Sequence, residues 1–107
     1  MKKNIIITTS FIAIHNWPSC DIEEVLFLRF PHRHRFTVEC KLEVKESREI
    51  EFIKLKQKLD TYLAQYYNEQ DIGSMSCEDI CIDIQNRFHF DYIKVMEDNE
   101  NGAEVIV

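Results

Sequence analysis

The chain has 107 residues, of which 45% are hydrophobic and 30% charged, with only two Gly and two Pro. Because domains cluster around roughly 100–150 residues, this length predicts one domain over residues 1–107, with a modest core that subunit contacts would enlarge. Thirteen Lys and Arg against nineteen Asp and Glu give a net charge of −6. This balance argues against a binder of duplex nucleic acid, which needs a basic surface.

No segment approaches the roughly 20 apolar residues of a membrane span. The apolar run Ile5–Ile7 is interrupted by Thr8–Ser10, so it is interpreted as a strand and not as a secretory signal. A cytoplasmic protein with reduced cysteines is therefore expected. The four cysteines form no Cys-x-x-Cys pair, which argues against a zinc knuckle or a redox motif.

Two strands are predicted in the first half of the chain. In the first, Phe11, Ala13 and His15 share one face by the two-residue period, so a histidine ends an apolar row. Residues 32–44 alternate apolar with charged or polar side chains, which predicts a long antiparallel strand with one face on the core. Its first and third residues are both histidines, and they lie at the start of the buried face.

The second half predicts two helices followed by a hairpin. Apolar residues recur at three- and four-residue spacing from Phe52 to Tyr66, which is typical of an amphipathic helix. A second helix is predicted to begin after the N-cap Ser76. The hairpin joins 92–97 to 103–107, and its Asn-Gly pair is expected to supply the positive-φ turn residues. Residues 19–31 are expected to be irregular.

Three sets of residues could carry chemistry. His32 and His34 lie on one strand face, and an antiparallel neighbour could bring His15 beside them to form a three-imidazole zinc site; the alternative is a histidine pair that only ends a strand. Glu97 could accept two parallel hydrogen bonds from the N–H edge of a heterocycle, or it could be a solvated turn acid. Cys20, in the irregular segment, is the one thiol considered as a nucleophile or base.

Taken together, these motifs resemble the 6-pyruvoyl-tetrahydropterin synthase / 6-carboxy-tetrahydropterin synthase family over nearly the whole chain. The resemblance rests on Phe11-x-Ala13-x-His15, His32-Arg33-His34, Glu51-Phe52 with Lys56, Ser76-Cys77-Glu78-Asp79 and Glu97-Asp98. It implies an α+β tunnelling fold of order ββααββ, with a four-stranded antiparallel sheet and two helices on one face. Such subunits join their sheets into an oligomeric barrel, commonly as trimers stacked into hexamers.

The resemblance also implies roles for individual residues. The zinc ligands of the family correspond to His15, His32 and His34, and its pterin-anchoring glutamate corresponds to Glu97. Glu78, in the motif that opens the second helix, is expected to contact the substrate. In the family, zinc binds the side-chain oxygens of a dihydroneopterin triphosphate and acidifies its carbon-bound protons.

The chain departs from the family pattern where protons are transferred. Leu28 stands where the family has its catalytic cysteine, and no histidine occurs in residues 68–74, where its Asp-His pair is expected. Two hypotheses remain. One is a zinc-dependent carbon–oxygen lyase on a pterin or purine-type nucleotide, with Cys20, Glu78 or Asp79 as the base. The other is a non-catalytic module that sequesters or senses such a nucleotide.

Overall fold

A computed structural model describes residues 1–107, and its centre is a five-stranded sheet. The strands are β1 (Lys3–His15), β2 (His32–Val44), β3 (Gln70–Asp71), β4 (Tyr92–Glu97) and β5 (Asn101–Ile106), in the spatial order β3-β1-β2-β4-β5. All neighbours pair antiparallel except β3, which runs parallel to β1. The sheet is therefore mixed. The prediction of four antiparallel strands missed β3 because two residues are too few to reveal alternation.

The two longest strands, β1 and β2, pair along their whole length. The register runs from Lys3 opposite Val44 to His15 opposite His32. The connection between them contains a 3-10 helix, Glu23–Arg29, with a backbone kink inside it. The expectation that this segment is wholly irregular was therefore wrong.

Two helices cover one face of the sheet. They are α1 (Phe52–Tyr66) and α2 (Cys77–Phe88), and both contribute to one cluster of sixteen buried residues with β1, β2 and β4. The predicted start of α2 is confirmed, since Ser76 and Asp79 form a reciprocal capping box. Neither helix combines the length and the apolar character needed to cross a membrane.

The β4–β5 hairpin turns at a different place from the one predicted. Asp98 and Asn99 carry the positive φ angles, 52° and 57°, and the Glu100 N–H donates to the Glu97 carbonyl at 2.9 Å. The prediction that Asn-Gly forms the turn was wrong, because Gly102 lies inside β5. A Cβ at this glycine would collide with the carbonyl oxygen of Val95 on β4, so the position requires close backbone approach instead of a positive φ.

Candidate metal centre

The pairing of β1 with β2 brings three histidines together at one end of the sheet. His15 and His32 are directly opposite each other, and His34 is two residues further along the same face of β2. The ring centroids are 4.6 Å apart for His15 and His32, 4.9 Å for His32 and His34, and 5.4 Å for His15 and His34. One ring nitrogen from each lies within 4.8 Å of the others, close enough to share one ion.

Each imidazole has an oxygen partner at Nδ1. The Nδ1 atom lies 2.8 Å from the Met75 carbonyl in His15 and 2.8 Å from the Phe30 carbonyl in His32. In His34 it lies 2.6 Å from Oδ2 of Asp98. A carbonyl oxygen only accepts, so these contacts require a proton on Nδ1, and in the neutral ring the lone pair is then on Nε2.

The carboxylate beside His34 is held in its ionised form. The His34 ring N–H and the Arg35 backbone N–H, at 3.0 Å from Oδ1, together lower the pKa of Asp98 below its usual value. An ionised Asp98 can only accept from Nδ1, so His34 has the same orientation as the other two rings. Outer partners of this kind fix both the tautomer and the direction of metal-binding histidines.

The burial of His15 indicates that its free nitrogen needs a partner. The residue is 8% exposed, and its Nε2 has no hydrogen-bond partner. Leaving a buried polar atom unsatisfied costs about 1–3 kcal/mol. Three imidazole nitrogens with free lone pairs suit Zn²⁺, so the residues fit the metal that the sequence resemblance implies.

We predict that Asp98→Asn weakens zinc binding about 10- to 100-fold, the usual effect of losing an outer partner of a ligating histidine. Asn tolerates the positive φ of this position, so the change removes the charge without straining the turn. Competition with a chromogenic chelator measures the affinity. The control is Glu100→Gln, which removes an exposed acid from the same turn. Equal zinc affinity in the parent and in Asp98→Asn would contradict the supporting role of Asp98.

Glu97, the last residue of β4, extends its carboxylate to the histidines. Oε1 lies 3.2 Å from Nε2 of His15, and Oε2 lies 3.5 Å from Nε2 of His34. The thiol of Cys77, at the first position of α2, donates to Oε1 across 3.8 Å. Burial raises the pKa of this thiol to about 12, and the nearby Glu97 carboxylate adds to the effect.

A cavity of about 520 Å³ opens beside the histidines. Its lining combines ring, acid and apolar side chains from the 15–32 region, the start of α2 and the β4–β5 hairpin: His15, Asn16, Trp17, Leu28, His32, Ser74, Met75, Ser76, Cys77, Glu78, Asp79, Glu97, Asn101 and Gly102. The volume is within the usual range for small-molecule sites.

The sequence-predicted residues fall into two groups. Glu97, Glu78 and Asp79 line the cavity, as does Leu28, which occupies the position of the family cysteine. Cys20 does not line it: the residue is fully buried, and its thiol donates to the Val25 carbonyl at 3.6 Å. A base at this position would have to leave its buried site before it could reach a ligand.

Several residues of the site carry little signal in the sequence. Cys77 belongs to the buried core cluster and also lines the cavity; its place directly after the N-cap Ser76 is the signal in the sequence that it starts a helix beside the site. Trp17 lines the cavity, and nothing in the local sequence pattern distinguishes this role from ordinary packing. The Met75 and Phe30 carbonyls could not have been found from sequence, because every residue has a carbonyl and only the folded backbone selects these two.

No protein-family model and no curated protein sequence matches the chain. Among solved structures, 6-pyruvoyl tetrahydropterin synthase from Caenorhabditis elegans superposes with a TM-score of 0.82 at 12% identity, covering 100% of this chain and 96% of that one. An uncharacterized protein from Wolinella succinogenes superposes with a TM-score of 0.78, also at 12% identity, covering 99% of this chain and 98% of that one. At this identity the likeness shows the fold alone: the chain has the α+β fold of a 6-pyruvoyl tetrahydropterin synthase.

Proposed function

We propose that the chain binds zinc through His15, His32 and His34 and takes a pterin- or purine-type heterocycle into the adjacent cavity. The observation that carries this proposal is the set of three Nδ1 atoms held by oxygen partners, in a cluster where one ring nitrogen of each histidine lies within 4.8 Å of the others. A ring cluster that served packing alone would not need all three tautomers fixed alike.

The residues around the cavity have separate roles in this proposal. Bound zinc would act as a Lewis acid toward oxygen atoms of the ligand. The Trp17 ring and the Leu28 side chain supply apolar wall for a flat heterocycle. The Glu97 carboxylate accepts two N–H bonds from the ring edge, and Glu78 contacts the polar part of the ligand.

A binding role is favoured over turnover by the shortage of proton carriers. Leu28 has no ionisable group, and Asp79 already accepts from the Ser76 backbone N–H at 3.1 Å. A thiol with a pKa near 12, as in Cys77, is a poor base at neutral pH. The alternative, a zinc-dependent carbon–oxygen lyase, needs Glu78 as the base, or Cys20 after a rearrangement.

The assembly is also part of the proposal. β5 is an edge strand with its outer side unpaired, and an open edge of this kind is a template for pairing with another chain. We propose a homo-oligomer, a trimer or hexamer, in which sheets join through their edges. The cytoplasmic location stays a prediction.

We expect Glu97→Ala to lower heterocycle affinity about 30-fold, since losing hydrogen bonds to a charged group costs about 2 kcal/mol. Calorimetric titration of zinc-loaded protein with dihydroneopterin triphosphate, a free pterin and a guanine nucleotide measures it. Glu100→Ala is the control and keeps the parent affinity. Equal affinity in Glu97→Ala would rule out the anchor, and product formation from dihydroneopterin triphosphate would decide for the lyase.

A further inference from the structure

The position of Glu97 is unusual for a residue that only anchors a ligand. Its two oxygens face Nε2 of His15 and Nε2 of His34 at 3.2 and 3.5 Å. In the neutral rings both nitrogens carry lone pairs, because the ring N–H is at Nδ1. Carboxylate oxygens are acceptors as well, so several acceptor atoms lie close together at this end of the sheet. Acceptors at this range repel unless a cation lies among them.

A shared proton does not explain the contact with His15. Its Nε2 has no hydrogen-bond partner even though Oε1 of Glu97 is 3.2 Å away, which means that the ring nitrogen is not directed at the oxygen. Ligands of one metal ion have this relation, because each donor points to the common centre and not to its neighbour. The arrangement therefore fits adjacent ligands of one ion.

The distances agree with this interpretation. Donors at 2.0–2.1 Å from a tetrahedral Zn²⁺ are about 3.3 Å from one another. Glu97 has a different oxygen beside each imidazole, Oε1 at 3.2 Å from Nε2 of His15 and Oε2 at 3.5 Å from Nε2 of His34, so its carboxylate spans two candidate ligands at about that spacing. Carboxylate oxygen is also an ordinary zinc ligand beside imidazole nitrogen.

We propose that Glu97 is a fourth protein ligand of the metal in the ligand-free protein, so that it closes the position that three histidines would leave open. The inference rests on the zinc site of the proposed function. Cys77 is a positioning residue here, because its thiol donates to Oε1 of Glu97, as outer partners do for ligating carboxylates.

A closed centre changes how the site would accept its ligand. An oxygen donor of the incoming molecule has to displace Glu97 from the metal, and the freed carboxylate is then available for the N–H edge of the heterocycle. One residue would thus couple two events, and the cavity would bind tightly only those molecules that offer both an oxygen donor and an N–H edge. Azide, which offers neither an N–H edge nor a ring, would bind poorly to the intact centre.

Cobalt(II) in place of zinc makes this testable without activity, since its visible absorption reports the ligand set. The cobalt-loaded parent, Glu97→Ala and the control Glu100→Ala are titrated with azide. We expect the spectrum of Glu97→Ala to differ from that of the parent, because water replaces the carboxylate, and we expect its azide affinity to be at least about tenfold higher. Glu100→Ala should match the parent in both respects.

The outcomes separate the two proposals. A parent that binds cobalt but has the same spectrum and azide affinity as Glu97→Ala would overturn the fourth ligand and leave the three-histidine site intact. A parent that binds no cobalt would overturn the zinc site itself, and this inference with it. If Glu97→Ala does not fold, Glu97→Asp serves instead. Its shorter side chain is expected to change the cobalt spectrum and to raise the azide affinity, because the carboxylate no longer reaches the metal as well. An unchanged spectrum would contradict the proposal.

Discussion

Replacing His32 and His34 together by Ala is expected to lower bound zinc from about one ion per chain to nearly none. The double variant retains His15 and Glu97, and two protein donors are too few for a zinc site, which uses three or four. Elemental analysis of protein purified without a chelator and without an affinity tag measures the change. Added zinc should also raise the unfolding temperature of the parent and leave that of the variant unchanged, since only an ion that binds the folded state stabilises it.

The control for this experiment is the fourth histidine. His89 caps the end of α2 with a φ of 59°, away from the three clustered rings, and Asn is the replacement that tolerates this backbone conformation. His89→Asn should keep the zinc of the parent. Zinc retained in the double variant would mean that the ion binds at another place. A folded parent that contains no zinc would contradict the proposed metal-dependent function.

The strands and the histidine cluster were accessible from sequence because they depend on a short period. In residues 32–44 successive side chains alternate between the core face and the solvent face of the strand. The face of His32 and His34 could therefore be assigned from the residues alone. The meeting with His15 needed one more step, an antiparallel neighbour in register. The register, in which His15 is opposite His32, was a hypothesis until the structure described it.

The remaining features depend on contacts that no local pattern encodes. The positive φ angles of the turn occur at Asp98 and Asn99 and not at the expected Asn-Gly pair. The register of β4 against β5 places Gly102 inside the strand, where a side chain would collide with the backbone of β4. The contact of Glu97 with the imidazoles has the same origin. Its side chain ends near them only because β4 pairs with β2 so that Glu97 is opposite Phe36.

Phe36 connects the stability of the fold with the geometry of the candidate metal centre. The ring is fully buried and stacks on Phe11 with 5.0 Å between centroids. It also meets His15 edge-on at 5.3 Å and His34 at 5.9 Å. Two of the three candidate ligands therefore contact the same core side chain.

We expect Phe36→Ala to lower the free energy of unfolding by about 3–5 kcal/mol, since it removes a buried aromatic ring and leaves a cavity. Urea unfolding of metal-free protein measures this loss, and Phe27→Ala, at a position 63% exposed, is the control that should change it by less than about 0.5 kcal/mol. Phe36→Leu fills most of the space and should cost less.

Zinc affinity measured below the unfolding transition should fall in Phe36→Ala as well, because the histidines lose the surface that orients them. A variant that is destabilised yet binds zinc as the parent does would show that the Nδ1 partners alone hold the rings in place.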